Sequence, residues 1–161
     1  MYLKQGDIFW GMSSECLKRI NAISHKVSYD PGHRLFEEGD PAERFFSLIK
    51  GRVKLTVSGT GQTVYTVSRA GEAFGWSSLI DRDFYSATAE VTASSVLMVI
   101  EKEGLAQILK DHPGDGYIFF RQLAHTLGER LMQSYDLIST AYRETLAASH
   151  GTGQVQEEVQ T

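Results

Sequence analysis

The chain has 161 residues, 42% hydrophobic and 22% charged, the composition of one globular domain able to bury its own core. Its net charge of −4, with scattered Lys and Arg, argues against nucleic-acid binding, which needs clustered cations. The single cysteine, Cys16, excludes an internal disulfide framework and a zinc or iron–sulfur centre. The first residues lack the apolar core of a signal peptide, and no run approaches the ~18 apolar residues of a membrane span, so a cytoplasmic protein is expected.

Residues 1–25 form an N-terminal helical segment. Ser13 caps a predicted helix from Met12 to Ser24, with Cys16, Leu17, Ile20 and Ile23 at helical spacing. On that apolar face Cys16 reads as a buried structural thiol. The period then changes. Residues 26–101 hold short, partly alternating apolar runs, separated by turn signals at Asp30-Pro31-Gly32, Gly39-Asp40-Pro41, Lys50-Gly51, Gly59-Thr60-Gly61 and Ala70-Gly71. That rhythm predicts an all-β sandwich, barrel or jelly roll. Val53, Leu55 and Val57 point inward from one strand. A hairpin tip at 58–62 leads into Thr63–Val67. Two further strands are expected at Tyr85–Val91 and Ser95–Ile100, the second apolar enough to be buried on both faces.

Helical period returns over 102–147. Glu103–Lys110 is a short helix, broken at Asp111-His112-Pro113-Gly114. One long pattern then runs from Asp115 to Ala147, with Phe120, Leu123, Leu127, Leu131, Tyr135, Ile138 and Tyr142 stepping by three or four. A helix of ~30 residues is ~45 Å long, more than this domain can cover. The same helix of a second copy is the simplest cover, giving a homodimer with Phe120, Leu123, Leu127, Leu131 and Ile138 on the seam. The alternative is a break near Gly128 that folds the helix back. Residues 148–161 are polar and read as a disordered tail.

Several of these runs together resemble the cyclic nucleotide-binding domain family. Asp30-Pro31-Gly32-His33-Arg34-Leu35-Phe36-Glu37-Glu38-Gly39-Asp40 is similar to its opening. Phe46-Ser47-Leu48-Ile49-Lys50-Gly51-Arg52-Val53 is similar to its strand–Gly–strand motif, Gly71-Glu72-Ala73-Phe74-Gly75 to the start of its phosphate-binding cassette, and Ser86-Ala87 to the end of that cassette. Each motif is weak alone, but they occur in order and at the right spacing, from about Phe9 to Tyr142. The resemblance is strongest to the sensory half of bacterial regulators of the catabolite activator type. It implies a mainly β chain: a jelly roll of about eight strands with flanking helices, the last a long dimerisation helix. It implies a regulatory domain, not an enzyme, in which a bound cyclic nucleotide (cAMP or cGMP) pulls on that helix. Such regulators continue into a helix-turn-helix domain. The sequence ends in a polar tail soon after Tyr142, so direct DNA binding is not expected and a signal would pass by protein contact.

The resemblance places the cassette at 71–87. Gly71, Glu72, Ala73, Phe74, Gly75, Trp76, Ser77, Ser78, Tyr85, Ser86 and Ala87 become candidate ligand-binding residues. Ser134 and Tyr135 of the long helix fall where the family contacts the base. Two departures stand out, because the family's ribose-binding Glu falls at Trp76 and its phosphate-binding Arg at Tyr85. What survives is a set of N–H groups around Gly75–Ser78, opening a short helix from Ser77 to Ile80, with the hydroxyls of Ser77, Ser78, Ser86 and Tyr85 and a nearby Arg82. Two lost charge-assisted hydrogen bonds, at ~1.5–3 kcal/mol each, lower affinity at least ~100-fold.

Three readings follow. The pocket retains weak cyclic nucleotide binding, it takes another small anionic or aromatic ligand, or Trp76 and Tyr85 fill it and the chain is a ligand-free dimeric scaffold for a protein partner. A cupin-type metal enzyme is the remaining use of a jelly roll. His25, His33, His112, His125 and His150 form no H-x-H pair, and no G-x-S-x-G nucleophile motif is present, so neither a metal site nor catalysis is expected.

Overall fold

The computed structural model describes residues 7–59 and 61–151. Two compact units divide the chain, one reaching Leu123 and one starting at Ala124. In the first, a short 3-10 helix at Asp7–Phe9 precedes α1 (Ser14–Ile23). Ser13 caps α1 as expected, its hydroxyl accepting from the Cys16 N–H at 3.2 Å. The Ser13 N–H and hydroxyl also donate to Asp115, at 2.6 and 2.7 Å.

Six strands follow among the described residues: β1 (Ser24–Tyr29), β2 (Arg34–Phe36), β3 (Arg44–Thr56), β4 (Thr63–Val67), β5 (Ala73–Phe74) and β6 (Thr88–Glu101). All pairings are antiparallel, in the order β1-β6-β3-β4, with β2 also on β6 and β5 also on β3. The architecture is the expected jelly roll with helices, but β6 corrects the strand list. The separate strands at 85–91 and 95–100 are one strand starting at Thr88, and Tyr85–Ala87 lie outside it. The small side chains of Ala93-Ser94-Ser95 let β3 pass closely.

That passage occurs at Gly51, whose φ is +112°. A Cβ there would lie 2.2 Å from Ser95 Oγ and 2.5 Å from Ser95 Cα. The β3–β6 register shifts around this point, so two long bent strands each serve both halves of the roll. The core joins Phe36, Phe46, Leu48, Val53, Leu55, Phe74, Tyr85, Val91 and Leu97. Val53 and Leu55 face inward as predicted, and Val57 is half-buried beyond the end of β3.

The helix after β6 is α2 (Lys102–Asp111). It ends at His112, and Pro113 opens α3 (Pro113–Gly151), a position where proline loses nothing. Phe9, Phe45 and Phe119 form an aromatic cluster, with centroids 5.7–6.5 Å apart. Helix α3 runs through Gly128 without a break. In the second unit it exposes Leu131, Tyr135, Ile138 and Tyr142. Its helical residues extend past 148, into the stretch read as a disordered tail; residues 152–161 lie outside the described residues.

Candidate functional site

The cassette is built on β5 and the turn after it. Gly75 adopts φ +75° and leads into a 3-10 helix at Trp76–Leu79, one residue earlier than expected. Glycine is required here, because a Cβ would meet Phe46 Cδ2 at 3.0 Å and the Arg44 carbonyl at 3.1 Å. Phe74 stacks on Phe46 at 5.1 Å.

Gly75, Trp76, Ser77, Tyr85, Ser86 and Ala87 come together, with Phe36 and Leu55, around a cavity of only about 40 Å³. Tyr85 is 5% exposed. Its ring stacks on Phe36 at 3.7 Å and 16°. Its hydroxyl donates to the Arg44 carbonyl at 2.7 Å and accepts from the Arg44 N–H at 3.0 Å. Its main chain is tied to the preceding turn, through Tyr85 N–H to Asp40 O and Gly39 N–H to Tyr85 O, both 2.9 Å. Burial pushes the phenol above its usual range, against the Arg44 hydrogen bond, which lowers it. At neutral pH it is therefore an uncharged hydroxyl, already engaged by main chain.

The other candidates divide. The Ser78 hydroxyl is occupied by Gly75 O at 2.9 Å. Ser77 is buried, Trp76 and Ala87 are half-buried, and Ser86 and Arg82 are exposed. Ala73 and Phe74 are buried in the sheet, and Gly71 donates its N–H to Leu48 O at 2.7 Å. Glu72 turns into a network of its own. It accepts from the Tyr65 hydroxyl at 2.6 Å, the Arg69 N–H at 2.8 Å, the Ser68 N–H at 2.9 Å and the Arg69 guanidinium at 3.3 Å. Burial pushes the Glu72 carboxyl up, but these bonds and the Arg69 charge overcome it and hold the carboxyl below the usual carboxylate range.

Ser134 and Tyr135 lie in the second unit, exposed on α3, and the Ser134 hydroxyl donates to Arg130 O at 2.9 Å. Of the seam candidates, Phe120, Leu131 and Ile138 are exposed and Leu127 is half-buried. Leu123 is 3% exposed and packs into its own chain, so it has almost no surface left for a partner. Sequence reasoning did not single out Phe36, Tyr65 or Arg44 for the site, and it placed Leu55 only in the core. Phe36 lay inside the recognised opening motif, and the Arg44 contribution is main chain, which leaves no sequence signal. Among the described residues no group of three or more His, Cys, Asp or Glu is placed to hold a metal ion. No described helix is long and apolar enough to cross a membrane.

Comparison with known proteins identifies the fold and the family. The chain is 24% identical over 140 residues to a CRP-like cAMP-activated global transcriptional regulator of Mycobacterium tuberculosis, covering 86% of this chain and 62% of that one. It is 33% identical over 125 residues to a global nitrogen regulator of Synechocystis, covering 73% and 52%. It thus spans about half to three-fifths of the length of these regulators. The crystal structure of a cyclic nucleotide-binding domain from Methylobacillus flagellatus shares the fold, with TM-score 0.76, 24% identity and coverage of 87% and 82%. The cyclic nucleotide-binding domain model matches residues 26–112, more than half of the sequence, and the chain belongs to that family.

Proposed function

We propose that this chain is a regulatory domain of the cyclic nucleotide-binding family that works with its cassette closed. In this reading it is a cytoplasmic homodimer, joined through the exposed stripe of α3, that signals by contact with a protein partner. One observation carries it: the cavity among Trp76, Ser77, Tyr85 and Ser86 measures about 40 Å³, whereas pockets for small ligands span about 300–1,000 Å³. The volume is taken by the Tyr85 ring on Phe36. No side chain lining the cavity is cationic, so a cyclic phosphate would be buried without a matched charge.

The test is titration calorimetry with cAMP and with cGMP, run beside the double variant Trp76→Glu, Tyr85→Arg. No saturable heat is expected for the natural protein up to about millimolar nucleotide, near −4 kcal/mol. Micromolar binding by the natural protein would sink the closed-cassette reading. Binding by the double variant alone would mean that only these two side chains separate this chain from a nucleotide sensor.

A further inference from the structure

Helix α1 lacks the residue that would complete its own N-terminus. In a capping box the cap hydroxyl accepts from the third helical N–H, and a Glu or Gln at that third position accepts from the cap N–H. Ser13 meets the first half, accepting from the Cys16 N–H at 3.2 Å. Cys16 stands at the third position, and its buried thiol supplies no carboxylate for the second half. The missing acceptor comes from α3, 102 residues away. Asp115 Oδ1 accepts from the Ser13 N–H at 2.6 Å and Asp115 Oδ2 from the Ser13 hydroxyl at 2.7 Å. We propose that this shared cap is a latch coupling the two helices: drawing the start of α3 away from Ser13 uncaps α1, and uncapping α1 loosens the start of α3.

The bonds form a chain, which makes the coupling direct. The Ser13 hydroxyl donates to Asp115 while accepting from Cys16, so one displacement of the carboxylate disturbs the whole cap. The groups are also within reach of solvent. Ser13 is exposed and Asp115 half-buried, so water takes over the broken bonds and opening strands no buried charge. The apolar seats are separate from the latch. Cys16 and Leu17 hold α1 in the core and Phe119 holds α3, each 1% exposed or less. The polar contact can therefore part while both helices stay seated.

The same face of α3 holds the preceding main chain a second time. Gln122, about two turns beyond Asp115, donates from Nε2 to the Trp10 carbonyl at 3.2 Å. Gly11 lies between the two holds, with φ +90° and Ile118 Cγ2 3.6 Å from the place a Cβ would take. Asp115, Ile118 and Gln122 are spaced by three and four, which puts them on one helix face. Residues 10–13 thus run along α3 before α1 begins. All these residues belong to the first unit. The coupling is a property of the single chain and depends neither on a ligand in the cassette nor on a partner for α3.

The experiment is amide hydrogen exchange by NMR on the full chain, comparing the natural protein with Asp115→Ala, Ser13→Ala and the double variant. Asp115→Ala should speed exchange about tenfold at the Cys16 and Leu17 amides of α1, which bond the Ser13 hydroxyl and carbonyl. Ser13→Ala should do the same at the Gly116 amide of α3, which bonds His112 O. The double variant should be no faster at either place than the faster single variant, since both substitutions break one contact. Asp115→Asn keeps an acceptor and should restore part of the protection. In the natural protein these amides should open with little urea dependence, ahead of those of Phe46 and Leu97 in the core of the roll. The proposal is overturned if each single substitution is felt only on its own helix, or if the two effects multiply in the double variant. It is likewise overturned if the α1 and α3 amides exchange only at the rate of the roll, because the cap would then open only when the whole domain unfolds.

Discussion

The Tyr85 hydroxyl closes two hydrogen bonds with one residue, donating to the Arg44 carbonyl at 2.7 Å and accepting from the Arg44 N–H at 3.0 Å. A side chain at the end of the cassette thus stitches it to the start of β3. Removing only the oxygen isolates this effect, because the ring stack on Phe36 remains. Tyr85→Phe is expected to lose about 1–2 kcal/mol of stability, read from urea unfolding. An unchanged midpoint would mean that the Arg44 main chain is satisfied without Tyr85.

Among the described glycines, Gly51 leaves the least room for a side chain. A Cβ there meets Ser95 Oγ at 2.2 Å, Ser95 Cα at 2.5 Å and Ser94 O at 2.6 Å, and φ is +112°. Two of those atoms are backbone, so a rotamer change does not relieve the clash. Gly51→Ala is expected to cost about 3 kcal/mol or more, seen as a large drop in melting temperature or as insoluble protein. A fully stable Gly51→Ala protein would mean that β3 and β6 do not cross this closely.

The Glu72 network gives a pH dependence with a definite sign. Its carboxyl is held below the usual range in the folded protein, so the folded-state pKa lies under the unfolded one. The stability it contributes is complete above the unfolded value, about 4.3, and is lost as pH falls through the folded value. The urea midpoint should therefore decline on acidification below that range. Glu72→Gln should lower the unfolding free energy at neutral pH by about 1–2 kcal/mol and flatten the acid decline. An acid profile identical in the two proteins would remove Glu72 from the account.

Cys16 is fully buried on α1. Its thiol is pushed up to about 11, first by burial and then by the nearby Asp115 charge. The reactive thiolate is thus scarce at neutral pH. Cys16 should resist a thiol reagent such as Ellman's in the folded protein and react fully in denaturant. Rapid reaction of the folded protein would place α1 away from the core.

Much of this was legible because local chemistry and tertiary structure agree. Ser13 carries its cap in its own side chain, and the stripe from Cys16 to Ile20 names the buried face of α1. The long helix was legible from Asp115, two residues inside its true start at Pro113, while its continuity through Gly128 was not. Strand β6 reads as two strands because the small and polar Thr92-Ala93-Ser94 interrupts its apolar run. The event at Ser95 is a close approach by Gly51 from another strand, visible only once the two are paired. The cassette was legible as a segment but not as a cavity. Tyr85 announces a large ring with a hydroxyl. Whether that ring guards a void or fills it depends on Phe36 and on the Arg44 main chain. The Glu72 network was hidden for the same reason, since its partner Tyr65 lies on β4 and not in the cassette.

Helix α3 carries the last prediction. Leu131, Tyr135, Ile138 and Tyr142 step by four, three and four, and are 51%, 55%, 66% and 65% exposed. Four large apolar side chains on one helical seam favour burial against a second copy, whose identical stripe is self-complementary in a two-fold arrangement. A carboxylate placed on that seam would be buried without a partner. Leu131→Glu should therefore weaken self-association about 100-fold or more, and it should leave the melting of the roll intact because Leu131 is exposed and belongs to the second unit. Light scattering of the natural protein should give about twice the 17.9 kDa chain mass, and the variant should give the mass of one chain. A natural protein already monomeric at tens of micromolar would end the homodimer proposal, since an obligate seam of this kind associates more tightly than that.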